Sequence, residues 1–375
     1  MTPAAPGTVL VAGVSGVVGY AAAQAFARAG WSVVGVARRP PAGLAGLERV
    51  TTVACDLTDA RATAALAEAH PDVTHVVYAA LFELPGLVTG WLDAEQMAVN
   101  DAMFRNLMDP LVAHATGLRH VSLLQGTKAY GAHVEVLAVP GRERSPRHDH
   151  PNFYWLQEDH LRGLQARAGG RFTHTILRPQ IIFGESLGSN MNPIPALGTY
   201  AAVLRAQGEP LHYPGGAAGV MEAVDADLLA DVLVWAAGDG SAAAADQTFN
   251  VTNGDVFTLR NVWPVLADVF GMERGEDRPM SLAAQMPPLE PVWADVVGRF
   301  GLAAPTSLEA FVGQSYVYAD VIGGAGFASP PPPVLVSTIK LRQAGFGACV
   351  DTEDMFAKWI ERMRTRNLLP PRAGW

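Results

Sequence analysis

Residues 8–19 read Thr8-Val-Leu-Val-Ala12 followed by Gly13-Val-Ser15-Gly16-Val17-Val-Gly19, an apolar run that breaks into a glycine-spaced turn. Glycines at this spacing let the backbone turn sharply from a strand into a helix, so that a pyrophosphate can sit against free N–H groups and the positive end of the helix dipole. The surroundings fit this reading: an Ala-rich helical stretch runs from Tyr20 to Ala29, and a second strand follows from Trp31 to Ala37. At the tip of that strand, where an acid would receive the ribose 2′-hydroxyl of NAD, stand Arg38 and Arg39. Two guanidiniums suit a 2′-phosphate, although a solvated arginine pair at a strand end is the plainer alternative. The expected cofactor is NADPH/NADP, held by Gly13, Ser15, Gly16, Val17, Gly19, Arg38 and Arg39.

Composition narrows the class further. A chain of 375 residues can bury a large core, and its formal net charge of −9 gives no basic footprint for nucleic acid. The only cysteines, Cys55 and Cys349, lack CxxC or Cys/His metal spacing, as in a reducing, cytoplasmic compartment. No basic residue precedes Arg28, so the apolar N-terminus reads as a first strand rather than a signal peptide. No run of eighteen apolar residues is present, which excludes a membrane-spanning helix as an expectation.

Downstream, apolar strands alternate with helical patterns, the signature of an α/β, Rossmann-like, doubly wound parallel sheet. Val50 to Cys55 reads as strand three, delivering Asp56 and Leu57 toward an adenine. Strand four, Asp72 to Ala80, leads to Leu81 and Phe82 at the edge where ligands bind in such sheets. A helix follows from Ala94 to Ala115, then strand five from Leu118 to Leu124, a helix to about Ala168 and strand six from Thr173 to Pro179. Six or seven strands are expected. The organisation expected is residues 1–189 as the NADP-binding portion and residues 190–375 as a smaller, mixed α/β lobe. That lobe would cover the substrate without an independent core.

Residues 132–151 form a charged, proline-containing excursion with His133, His148 and His150. Their spacing lacks i,i+4 helical geometry and a nearby carboxylate set, so no metal site is expected. Two segments beside it hold the chemistry: Gln125-Gly126-Thr-Lys128-Ala-Tyr130-Gly131 after strand five, and Asn152-Phe-Tyr154-Trp-Leu-Gln-Glu158-Asp159 at the start of the next helix.

A tyrosine opening this helix is similar to the extended short-chain dehydrogenases/reductases, whose catalytic lysine lies four residues after the tyrosine. Here that position is Glu158, and a lysine appears instead as Lys128. This relocation resembles the progesterone 5β-reductase/iridoid synthase-like enone reductases, which carry a Gly-x-Lys-x-Tyr turn and an Asn-Phe-Tyr-x-x-x-Glu-Asp helix start. Further similar blocks are Gly35-Val-Ala-Arg-Arg-Pro40, Met103-Phe-Arg-Asn106, Ile182-Phe-Gly184, Ser189-Asn190-Met191-Asn192 and Glu290-Pro-Val-Trp293, so the resemblance spans nearly the whole chain. Its Ala- and Gly-rich composition is that of a bacterial member.

The resemblance implies NADPH-dependent 1,4-reduction of an α,β-unsaturated carbonyl, with Tyr154 stabilising the enolate oxygen and Lys128 tuning Tyr154. It extends the cofactor site to Ala80, Leu81, Gln125, Ile182, Ser189, Asn190 and Met191, and points to Phe82, Tyr130 and Phe346 as substrate contacts. A small apolar substrate and a homodimer are implied, with no nucleic-acid or membrane partner. Departures from the family are Gln125 in place of threonine, Trp155 in place of a second tyrosine, and Ala79-Ala-Leu-Phe82 in place of a Thr-Trp turn. Two alternatives stand beside this reading. One is a carbonyl reductase or sugar-nucleotide epimerase of the same superfamily; the other is a non-catalytic NADP-binding regulator.

Overall fold

A computed structural model describes residues 6–84 and 89–375. Its central feature is a seven-stranded sheet whose spatial order is β10-β6-β5-β4-β1-β2-β3. In chain order these strands are β1 (Thr8–Ala12), β2 (Ser32–Ala37), β3 (Val50–Ala54), β4 (Val73–Tyr78), β5 (His120–Leu124), β6 (Thr173–Pro179) and β10 (Gln247–Val251). Every pairing among them is parallel. Such strands are covered on both faces, which is why β1 reads as an unbroken apolar run and has Val9, Leu10, Val11 and Ala12 wholly buried. The chain adds β2 and β3 on one side of β1, then returns to place β4 on the other. That reversal makes the C-terminal ends of β1 and β4 the switch point where an open α/β sheet binds its ligand.

Helices α1 (Val17–Arg28), α2 (Ala60–Ala69), α3 (Ala94–His114) and α4 (Phe153–Arg167) connect these strands. The last three begin at side-chain caps, Asp59, Asp93 and Asn152, each accepting an N–H of the first turn. Helix α1 starts a turn earlier than the Ala-rich stretch suggested, at Val17, and follows a glycine with no side-chain cap. Between sheet and helices lies an apolar core that includes Leu10, Val34, Val76, Phe104, Leu123 and Ile176.

The chain divides into two compact units that are not contiguous halves. The first comprises residues 1–180, 226–251 and 336–348; the second comprises 181–225, 252–335 and 349–375. Strand β10 therefore comes from the region that the sequence assigned to the lobe beyond residue 189. The second unit contains the pairs β7 (Ile181–Phe183) with β9 (Ala223–Asp225) and β8 (Leu211–Tyr213) with β11 (Arg274–Asp277). It also holds helices Pro193–Ala206, Leu259–Phe270, Glu290–Phe300 and Thr352–Thr365. Where the sequence suggested no core of its own, this unit buries Trp263 against Tyr213 and stacks Trp293 on Phe311 at 5.3 Å.

At the first unit's sheet, His75 of β4 and His120 of β5 are register partners, with ring centroids 6.2 Å apart. Both are buried, and burial holds His75 down at about 4 and His120 at about 3. Their folded pKa lies below that of the unfolded chain, so their contribution to stability is complete above pH 6.5 and falls as pH drops toward 4 and 3. Two imidazoles, each costing about 1.4 kcal/mol per pH unit, remove on the order of 5 kcal/mol by pH 4, a large part of a domain's stability. Acid titration followed by circular dichroism should show His120→Gln unfolding at least half a pH unit lower than the parent; coincident curves would contradict this account.

Candidate active site

The turn after β1 is built around its glycines. Gly13 has φ +86°, and a Cβ there would lie 2.7 Å from Ala79 O and Ala80 N, so only a bare Cα lets the turn pass the end of β4. A Cβ on Gly19 would lie 2.2 Å from Gly13 O, which fixes the close seating of α1. Gly16 differs, since a Cβ there would meet only Gly13 O at 3.4 Å, and both Ser15 and Gly16 are exposed. The first turn of α1 carries no acidic residue and no side-chain cap, so its N–H groups are available to an anion. These features fit the pyrophosphate of a dinucleotide, with Gly13, Ser15, Gly16, Val17 and Gly19 as the residues that would hold it.

Arg38 and Arg39 are exposed just past the end of β2. Asp56 follows β3, where its Oδ1 accepts from Thr58 N at 2.9 Å and Thr58 Oγ at 2.8 Å. Those bonds, helped by Arg38, hold its carboxyl below the usual carboxylate range. Asn106 Nδ2 donates to Leu57 O at 3.0 Å. After β4, Asn100 clamps Phe82 through both backbone groups, accepting its N–H at 2.9 Å and donating to its carbonyl at 2.7 Å. Ala80 is half-buried and Leu81 exposed beside this clamp. Part of the following segment, residues 85–88, lies outside the described residues.

Lys128 sits in the short turn Thr127–Tyr130 beyond β5, and Tyr154 in the first turn of α4. Both meet Trp91. The Lys128 ammonium lies 3.9 Å from the indole centroid, and the Tyr154 ring packs on the same indole at 5.3 Å. The indole Nε1 donates to Glu83 Oε1 at 3.1 Å. Tyr154 Oη lies over the end of β5, 3.5 Å from where a Gly126 Cβ would stand. Burial draws Lys128 down to about 8 against the opposing pull of Glu83. Burial, with Glu83, pushes the Tyr154 hydroxyl up, so it is a protonated donor. The charge acting to acidify it is Arg178, whereas the sequence reading gave that part to Lys128.

Glu158, in the position of the usual lysine, anchors a buried polar network. It accepts from Gln125 Nε2 at 3.1 Å, Arg147 at 3.1 Å and Arg162 at 3.1 Å, with Arg178 at 3.8 Å. Burial raises its pKa, but the Gln125 and Arg147 hydrogen bonds outweigh this and hold it low. Gln125, expected beside the ribose, spends its amide here: Nε2 also donates to Tyr154 O at 3.3 Å, and Oε1 accepts from Arg178 at 2.9 Å. Arg178 lies over the Tyr130 ring at 4.9 Å, and the Tyr130 hydroxyl donates to Asn250 at 2.6 Å. Tyr130 is thus buried, with its hydroxyl paired. Phe346 packs edge-on against Trp235, 5.8 Å away within the first unit.

Ile182, Ser189, Asn190 and Met191 belong to the second unit. There Ser315 Oγ donates to Ser189 O at 2.6 Å and accepts from Asn192 N at 3.0 Å, fixing the 189–192 segment. Among the described residues, no group of three or more His, Cys, Asp or Glu side chains could hold a metal ion, and no helix is long and apolar enough to cross a membrane. The sequence reading did not single out Trp91 or Glu83; neither sits in a motif, and only the folded chain brings them to Lys128.

A family model described as the NAD dependent epimerase/dehydratase family matches residues 9–252, so the chain belongs to that family of extended short-chain dehydrogenases/reductases. Within it the chain sides with the progesterone 5β-reductase/iridoid synthase-like oxidoreductases. It is 32% identical over 390 residues to (S)-8-oxocitronellyl enol synthase of Antirrhinum majus, covering 99% of this chain and 95% of that one. It is also 32% identical to 3-oxo-Delta(4,5)-steroid 5-beta-reductase of Arabidopsis thaliana, covering 96% and 92%. Among solved structures, UDP-glucose 4-epimerase of Thermotoga maritima shares the fold, with a TM-score of 0.64 at 15% identity, covering 96% and 99%.

Proposed function

We propose that this enzyme is an NADPH-dependent enone reductase that reduces the C=C bond of a small, apolar α,β-unsaturated carbonyl compound. The observation that carries the reading is the placement of Lys128 and Tyr154 on one indole while Glu158 is locked in an arginine network. The relatives named as a steroid 5-beta-reductase and an enol synthase support the same chemistry. NADPH held by the glycine turn would supply the hydride added at the β-carbon, and a proton from solvent would complete the saturation at the α-carbon.

Negative charge then grows on the carbonyl oxygen, and a donor aimed there stabilises the transition state more than the ground state. Tyr154 is that donor, buried and protonated. Lys128 supplies positive charge nearby, held in place by the Trp91 face. Arg38 and Arg39 would receive the 2′-phosphate that distinguishes NADPH. A carbonyl reductase or epimerase of the ordinary kind needs its lysine where Glu158 stands, and that carboxylate is already bound by Gln125 and Arg147.

The test is NADPH consumption with cyclic enones, linear enals, saturated ketones and a UDP-sugar, with the products identified. Saturation of C=C in the first two groups is expected, and turnover confined to ketones or the UDP-sugar would overturn the reading.

A further inference from the structure

Asn152 lies between the two proposed catalytic groups and is 5% exposed. Its Oδ1 accepts the backbone N–H of Tyr154 at 3.0 Å, and its Nδ2 donates to the carbonyl of Lys128 at 3.0 Å. A backbone N–H can only donate and a backbone carbonyl can only accept, so these two bonds fix which way the amide points. Nδ2 then also faces His150 Nε2 at 3.2 Å, which must be the bare, accepting nitrogen. The His150 proton therefore sits on Nδ1, 2.9 Å from His148 Nδ1. His148 Nδ1 must accept it, leaving the His148 proton on Nε2, 2.7 Å from the carboxylate of Glu135. One set of proton positions satisfies the whole chain from Lys128 to the exposed Glu135.

We propose that Asn152 is a positioning residue that sets Lys128 against Tyr154, and that the hydrogen-bonded His150–His148–Glu135 chain holds its amide in that orientation. This rests on the enone-reductase reading, in which Lys128 and Tyr154 act together. The groups facing His150 are His148, Asp149 and Glu135, with the His133 ring at 4.9 Å. Burial and His148 hold His150 below the ordinary imidazole range, and burial holds His133 down at about 4, so both are neutral near pH 7. A proton taken up by His150 turns Nε2 into a donor facing the Asn152 donor. That breaks the chain, so turnover falls on the acid side.

Asn152→Asp separates the roles, because Asp caps a helix as well as Asn but cannot donate to Lys128. The expected result is kcat lowered about tenfold or more, the effect of about one lost buried hydrogen bond, with the KM for NADPH within about twofold and the melting temperature nearly unchanged. His150→Gln supplies an acceptor that does not titrate, and should move the acid limb of kcat to lower pH and exceed His150→Leu in turnover. An N152D turnover within about twofold of the parent, or an H150Q acid limb superimposed on the parent's, would overturn the proposal. Parent enzyme and Tyr154→Phe run in the same assay report separately on the enone-reductase reading. Nitrogen-15 NMR of the histidines gives an arm independent of activity: His150 is expected as the Nδ1–H tautomer, and finding it as Nε2–H overturns the inference even in an inactive protein.

Discussion

Tyr154→Phe is expected to reduce enones about a hundredfold more slowly while still binding NADPH, the loss of on the order of 3 kcal/mol that follows removal of one oxyanion donor. The hydroxyl acts mainly in the transition state, so kcat falls and cofactor affinity does not. A conjugated acceptor needs polarisation more than full proton transfer, and a residual enone activity is expected where simple ketone reduction is lost. Lys128→Met should impair the same step, and the double variant should be little worse than the weaker single one, because groups acting as a unit are not additive. The pH profile gives an independent sign. Lys128 is held near 8, so its ammonium is present below that pH and lost above it, and turnover should decline on the alkaline side. Lys128→Met should flatten that limb. A Tyr154→Phe enzyme with the parent's turnover would show that the donor is elsewhere.

Replacing Arg38 and Arg39 together by Ala should raise the KM for NADPH far more than that for NADH. Each charge-assisted hydrogen bond to a 2′-phosphate contributes on the order of 1.5–3 kcal/mol, roughly ten- to a hundredfold per arginine. The two side chains are exposed beyond β2, so their removal should leave the melting temperature nearly unchanged. Steady-state kinetics with both cofactors decides the point, and equal weakening for NADPH and NADH would contradict the assignment.

The glycine turn after β1 and most of the sheet were legible because their physics is local. A parallel strand covered on both faces must be apolar along its length, and β6 was read at its observed limits, Thr173–Pro179. Gly13, Gly16 and Gly19 could be read because a strand precedes their spacing and a helix follows it. Strand β10 was harder to place, since it joins β6 only after the chain has passed through β7, Pro193–Ala206, β8 and β9. The make-up of the units was not legible for the same reason: contiguity in sequence is a poor guide when the chain returns to its first unit at residues 226 and 336.

At the candidate site the motifs named Lys128 and Tyr154, while their electrostatic surroundings were not legible. The indole beneath Lys128 comes from Trp91 and is oriented by Glu83, two residues with no fixed spacing to either group. Gln125 was expected beside the ribose from the family resemblance alone, and the sequence did not show that Glu158 and Arg178 hold its amide from other elements. Nor did it show the partner of Tyr130, Asn250, which lies on β10. Pairings of this kind depend on tertiary neighbours, which periodicity and motif spacing do not report.

The most direct test of the central claim is the fate of the transferred hydrogen, followed with NADPH carrying deuterium at the transferable C4 position and an enone substrate, with the product analysed by NMR. The account predicts deuterium on the β-carbon of a saturated carbonyl product; deuterium on the carbonyl carbon of an allylic alcohol would contradict it.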